Sequence, residues 1–232
     1  MKQLKVAVLG LGHFGLHLSI HLTELGAEVL GVDMREERVE LLRDKVAHAV
    51  VLDTTDPKAL AQIGIRDFDI VVVAIGEGFE SSVLTTAHLQ ELKVKRIINR
   101  VVSPVHERIL RLMNVPDLIL PEAEAASHLA RRLTMSGVIE SVELSGEYSI
   151  IETKLPKWAR GKILNDLDLR RRFNINLVTV IQEVEKTDIE YLGKRKARKV
   201  LGVPEAGMKF ENDDILVLFG KDRDIRKFLD ED

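Results

Sequence analysis

The chain of 232 residues has no cysteine. That absence excludes a disulfide framework, a thiolate nucleophile and a cysteine-ligated zinc ribbon. Aromatic residues are scarce at 4%, and no helix-turn-helix pattern accompanies them, so nucleic-acid recognition finds no support. Neither sign of charge dominates: the net charge is −3, which also argues against nucleic acid as a general partner. Long apolar runs are missing too. The longest, Ile70–Ile75 and Ile215–Phe219, fall far short of the roughly 20 residues that a membrane-spanning helix needs. There is no serine nucleophile elbow and no Walker-type phosphate loop. A strand begins almost at the amino terminus, so no signal peptide is expected and the cytoplasm is the default location. Apolar residues at 45% suffice for real cores, and charged residues at 31% imply a well-solvated surface.

What is present is a glycine triad in a telling context. Gly10-Leu11-Gly12-His13-Phe14-Gly15 follows the apolar run Leu4–Leu9 and opens a helix-like stretch, Leu16–Leu25. A second apolar strand, Glu28–Val32, then ends in Asp33, close to the spacing of about 20 residues found in dinucleotide-binding βαβ units. Each part has a physical reason. Gly10 permits a tight turn, Gly12 lets the backbone approach a pyrophosphate, and Gly15 lets helix and strand pack closely. The helix amino terminus offers unpaired N–H groups and partial positive charge to phosphates. Asp33 can accept hydrogen bonds from ribose hydroxyls.

The alternation continues down the chain. Helices are expected at Glu36–Lys45, Pro57–Ile63, Ser81–Leu92 and Pro104–Met113. Strands are expected at His48–Leu52, Ile70–Ile75, Arg96–Val101 and Leu118–Leu120. Six strands alternating with helices predict an α/β fold with a doubly wound parallel Rossmann sheet. A further helix runs from Pro121 to about Met135, ended by Ser136-Gly137. It carries Ala126, Leu129, Ala130 and Leu133 on one face, suited to its own sheet or to another subunit.

From Val138 the pattern changes to strands without regular crossovers. Val138–Leu144 and Tyr148–Leu155 flank a turn at Ser145-Gly146-Glu147. A helix is expected at Ile163–Phe173, strands at Asn176–Glu183 and Ile215–Phe219, and a terminal helix at Lys221–Leu229. Two domains follow: residues 1–137 for nucleotide binding, and residues 138–232 as a second, smaller α+β module with a regulatory role.

These segments resemble the regulator of potassium conductance (RCK) family, including the Trk/Ktr-type cytoplasmic subunits of potassium transporters. The resemblance rests on Gly10–Gly15, Val32-Asp33, Leu52-Asp53-Thr54-Thr55, Val73-Ala74-Ile75-Gly76, Leu84-Thr85-Thr86 and Pro121-Glu122. In the second half it rests on Gly161–Leu164, Asp166–Arg170 and Asp213–Val217. It implies a cytoplasmic subunit, peripheral at the inner face of the cell membrane, that assembles as a homo-oligomer from dimer to octameric ring. Such a subunit couples nucleotide state to a membrane potassium transporter or channel. The implied ligand is NAD(H) or an adenine nucleotide, ADP or ATP.

Carried over by position, Gly10, Gly12 and Gly15 would line the phosphates, Asp33 the ribose, and Asp53 and Thr54 the adenine. His13, Phe14, Met34, Ala74, Ile75 and Gly76 complete the expected contacts. Arg100 sits where the family often places a basic phosphate contact. Glu122 would face phosphates across a subunit contact, through a divalent cation as its metal ligand. His13 departs from the arginine common at its position, and a largely neutral imidazole holds a triphosphate tail less firmly.

Other signals carry less. His17 and His21 have metal-compatible spacing, but no carboxylate pattern completes a site. His88, His106 and His128 are scattered over helices, where surface or capping roles are expected. The basic run Lys194–Lys199 reads as a solvated hairpin, or as a patch for an acidic partner, an anionic ligand or phospholipid headgroups, extended by Arg170–Arg172. The rival function is an NAD-dependent oxidoreductase. That reading needs a proton donor near the nicotinamide, and Ala74-Ile75-Gly76-Glu77-Gly78 offers no Lys, His or Tyr. No catalytic residue is expected.

Overall fold

A computed structural model describes residues 3–135, 137–188 and 193–231, without the side chains of 185–188 and 193–196. Ser136, half of the expected helix stop, lies outside the described residues, as do the side chains at 194–196 in the basic run. The chain divides into two compact units, Met1–Glu122 and Ala123–Asp232.

The first unit alternates β1 (Lys5–Leu9), α1 (His13–Glu24), β2 (Glu28–Asp33), α2 (Glu36–Glu40), β3 (His48–Val51) and α3 (Pro57–Gln62). It continues with β4 (Ile70–Val73), α4 (Phe79–Glu91), β5 (Ile97–Arg100), α5 (Pro104–Leu112) and β6 (Asp117–Ile119). The strands lie in the order β3-β2-β1-β4-β5-β6, and every pairing is parallel. That is the doubly wound arrangement expected from the sequence. The winding reverses between β1 and β4, which opens a crevice beyond the carboxyl ends of those strands. Val6–Leu9 and Val71–Val73 are buried because helices cover both faces of the central strands, as continuous apolar runs demand. Two helix starts have side-chain caps: Asp56 accepts the Lys58 N–H at 2.8 Å and Ser103 accepts the His106 N–H at 3.1 Å. Each precedes a proline suited to the first helical turn.

The helix expected over Glu36–Lys45 is shorter than its pattern. Regular α-helix ends at Glu40, and turns with three-residue hydrogen bonds follow, such as Leu42 N–H to Val39 O at 3.0 Å. The tighter turn lays Leu42 on bare backbone, for a Cβ on Gly31 would lie 2.4 Å from Leu42 Cδ2.

In the second unit, α6 (Pro121–Thr134, its first two residues belonging to the first unit) precedes β7 (Val138–Ser145) and β8 (Tyr148–Lys154). Next come α7 (Leu164–Leu167), α8 (Leu169–Phe173), β9 (Asn176–Asp188), β10 (Gly193–Val200), β11 (Ile215–Lys221) and α9 (Asp222–Leu229). The sheet is antiparallel in the order β10-β9-β11-β8-β7. The single helix expected over Ile163–Phe173 is broken at Asp168, which adopts φ 43°. Leu167 and Leu169 are both buried, and residues two apart cannot share one helical face. The left-handed residue between them turns both inward. Their core also holds Ile151, Val180, Leu216 and Phe228.

Candidate functional site

The site begins at the turn after β1. Gly10 has φ +97°, a conformation open to glycine, and its N–H donates to Val32 O at 2.8 Å. Gly15 is required by contact: a Cβ there would fall 1.9 Å from Gly10 O. Gly12 differs from both. It precedes α1 with φ −65°, no side chain caps the helix, and a Cβ would meet only Arg38 Nη1 at 3.7 Å. The protein's own packing therefore leaves this position room for a larger residue. What glycine preserves at Gly12 is open backbone at a helix start, where the first N–H groups have no partner within the helix.

Asp33, at the end of β2, faces this turn. Its Oδ2 accepts the Leu11 N–H at 2.7 Å and its Oδ1 the Arg35 N–H at 2.9 Å. Arg38 Nη1 stands 3.7 Å from Oδ2. Across the crevice, Glu77 Oε2 lies 3.0 Å from Arg35 Nη2. On the third side, Asp53 Oδ1 accepts both the Thr55 hydroxyl at 2.7 Å and the Thr55 N–H at 2.9 Å. These bonds, the hydroxyl first, hold the Asp53 pKa below the ordinary carboxylate value against a smaller opposing effect of burial. Beneath it, buried Thr54 and Thr85 share a hydroxyl hydrogen bond of 2.9 Å. The cleft is open to solvent and spans about 550 Å³ of empty space, open solvent included.

Nine of the expected residues line this cleft: Gly10, Gly12, Asp33, Met34, Asp53, Thr54, Ala74, Ile75 and Gly76. The other five stand outside its lining. Gly15 is buried behind the turn and His13 is exposed at the start of α1. Arg100 lies with its guanidinium carbon 5.8 Å from the Phe14 ring centre and forms an ion pair with Glu122. Gly76 joins the two groups, since a Cβ there would lie 2.7 Å from Arg100 Nη1. Among the described residues no three His, Asp or Glu side chains gather as a metal site. His21 pairs with Glu24 at 2.9 Å.

The motif reading missed Arg38 and Glu77 as lining residues. Arg38 lies five positions past Asp33, on the helix that folds back over the turn, and Glu77 follows the glycine after β4. Both looked like ordinary surface charges in the sequence.

A six-stranded parallel sheet in this order, with an uncapped glycine turn facing a strand-terminal carboxylate, defines a Rossmann-type nucleotide-binding domain. Here it is followed by a five-stranded antiparallel unit. The TrkA-N domain profile matches residues 6–121, and the chain belongs to the TrkA-N domain family. It is 33% identical to the Ktr system potassium uptake protein C of Bacillus subtilis (strain 168) over 222 residues, 96% of this chain and 94% of that protein. It is 29% identical to the Ktr system potassium uptake protein A of the same organism, covering 100% of this chain and 98% of that one. Among solved structures, the GsuK RCK domain aligns with a TM-score of 0.61 at 17% identity, over 99% of this chain and 48% of that chain. The GsuK channel bound to NAD aligns with a TM-score of 0.62 at 17% identity, over 100% of this chain and 40% of that one. At that identity the likeness speaks for the fold alone.

Proposed function

We propose that this chain is a nucleotide-binding cytoplasmic regulatory subunit that gates potassium transport through a membrane partner. The observation that carries the reading is the cleft itself: open amides at Gly12, facing the fixed carboxylate of Asp33, at the switch point of a parallel sheet. Two relatives matched over nearly their whole length are named as potassium uptake proteins. No helix of the described residues is long and apolar enough to cross a membrane, so the pore belongs to a partner in this scheme, with the chain at the inner face of the membrane.

The ligand is NAD(H) or an adenine nucleotide, ADP or ATP, with its phosphates over Gly10 and Gly12, its ribose at Asp33 and its adenine near Asp53 and Thr54. Arg100 and Glu122 serve the distal phosphates, with a divalent cation at Glu122. Residues 1–137 bind the nucleotide, and residues 138–232 carry the regulatory module. The subunit acts as a homo-oligomer, between dimer and eight-membered ring. In support, no residue of α6 is fully buried within the chain, and Leu133 is 75% exposed. Ligand binding shifts such a ring between two states by its difference in affinity for them.

No catalytic role is assigned. The cleft carboxylates Asp33 and Asp53 are each held by hydrogen-bond donors of the chain itself, and among the described residues lining the cleft there is no Lys, His or Tyr to act as the proton donor that the NAD-dependent oxidoreductase reading needs. Calorimetric titration with NAD⁺, NADH, ADP and ATP tests the reading. Saturable one-site binding of at least one is expected, and binding of none contradicts it. Steady hydride transfer to a hydroxy-acid or aldehyde substrate, abolished by one histidine substitution, would favour the oxidoreductase.

A further inference from the structure

Three charged side chains line the cleft. Arg35 lies in the loop after β2, Arg38 on α2, and Glu77 in the bend after β4. Strands β2 and β4 flank β1, so their ends stand about two strand spacings, roughly 10 Å, apart. Glu77 spans that gap, with Oε2 3.0 Å from Arg35 Nη2 and 4.0 Å from Arg38 Nη2. The bridge passes over the glycine turn that follows β1.

The partners differ in freedom. The Asp33 side chain is 6% exposed and pinned by two backbone amides, whereas the Glu77 side chain is 80% exposed. Asp33 is a fixed charge, and Glu77 is a movable one.

We infer that Glu77 determines which ribose the cleft accepts. Seated on Arg35 and Arg38, it disfavours a ribose bearing a 2′-phosphate; removed, it leaves two guanidiniums free to bind one. The inference rests on the nucleotide reading of the cleft. Each Asp33 oxygen already accepts an amide and keeps lone-pair capacity, which suits the hydroxyl donors of a plain ribose. A phosphate monoester carries nearly two negative charges at neutral pH and offers almost no proton. It needs cations, and guanidinium forks match its geometry. The two within reach are Arg35 and Arg38, and Glu77 competes for both. Asp33, Glu77, Arg35 and Arg38 sum to zero charge; without Glu77 the set is positive beside the ribose edge. Arg38 also lies over Gly12, so one guanidinium can serve ribose and pyrophosphate together.

Calorimetric titration of the full chain with NAD⁺ and NADP⁺ tests this on wild type, Glu77→Gln and the double variant Glu77→Gln/Arg38→Gln. Wild type should favour NAD⁺. An exposed ion pair is a weak competitor, so Glu77→Gln should raise NADP⁺ affinity by roughly three- to fivefold while NAD⁺ affinity changes less than about twofold. The second substitution should abolish the gain, and raised salt should shrink it. An unchanged NADP⁺/NAD⁺ ratio in Glu77→Gln overturns the inference, as does an equal rise for both ligands. A wild type that binds neither these dinucleotides nor ADP or ATP refutes the nucleotide reading itself. A wild type that binds NAD⁺ with the ratio unmoved refutes only the role of Glu77.

Discussion

Asp33 accepts the Leu11 backbone N–H at 2.7 Å, so the last residue of β2 braces the glycine turn that follows β1. Leu11 is 3% exposed, and its bond to Asp33 is buried. Asp33→Ala should therefore destabilise the fold by about 1–3 kcal/mol, the cost of a buried unsatisfied donor. In a chain of this size each kcal/mol lowers the melting temperature by about 2–4 °C. Thermal denaturation followed by circular dichroism reads the shift, and an unchanged midpoint would remove Asp33 from its bracing role.

His106 supplies a pH dependence. It is fully buried, its Nδ1 accepts the Val102 N–H at 3.3 Å, and its ring meets the edge of Phe79 at 5.4 Å. Burial lowers its pKa from the ordinary 6.5. A group with a depressed folded pKa contributes stability fully above its unfolded pKa, and that contribution is lost as pH falls through the folded value. Wild-type stability should therefore fall on acidification from about pH 7.5 to 5.5, and His106→Asn should flatten the fall. Parallel pH profiles for the two proteins would contradict this.

Glu122 pairs with Arg100 while standing in the first turn of α6, where a carboxylate is favoured by the helix dipole. A carboxylate beside phosphates is unfavourable unless a cation intervenes, so the proposed role requires nucleotide affinity to depend on divalent ions. Glu122→Gln should weaken that dependence and lower the melting temperature by no more than about 4 °C, since the Glu122 side chain is 64% exposed while that of Arg100 is 17% exposed. If wild type and variant respond identically to Mg²⁺ and EDTA, Glu122 serves only α6 and Arg100.

The exposed leucines of α6 bear on assembly. Leu129 and Leu133 are 45% and 75% exposed, and a partner subunit would cover them. Light scattering at micromolar concentration should give a mass well above 26.1 kDa, and Leu133→Glu should shift it downward. A strict monomer in the wild type would refute the ring scheme.

The parallel sheet was legible because its signals are local and redundant. Continuous apolar strands, the glycine triad and the capped prolines of α3 and α5 each point to the same topology. The failures came where tertiary contact overrode pattern. The α2 helix stops early because Leu42 drops onto Gly31, and the helix near Asp168 breaks because Leu167 and Leu169 must both face one core. In the cleft, Gly10, Gly12 and Asp33 were readable from spacing. Arg38 and Glu77 were not, because a charged residue on a solvated helix or loop looks the same whether it faces water or a neighbouring strand's loop. Arg100 was readable as a basic residue after β5, but its seat against Gly76 and Phe14 exists only in three dimensions.

Substitution at Gly12 tests whether the open turn is kept for a nucleotide. An alanine Cβ at Gly12 meets only the flexible end of Arg38 at 3.7 Å, whereas one at Gly15 would lie 1.9 Å from a backbone oxygen. Gly15→Ala should therefore lose about 1–3 kcal/mol of stability through overpacking, and Gly12→Ala should melt as wild type does. The decisive measurement is calorimetric titration of Gly12→Ala with the nucleotide that wild type binds, paired with its melting curve. The melting temperature should be unchanged and the affinity lowered at least roughly tenfold, a loss of about 1.4 kcal/mol. Wild-type affinity in a normally folded Gly12→Ala chain would contradict it.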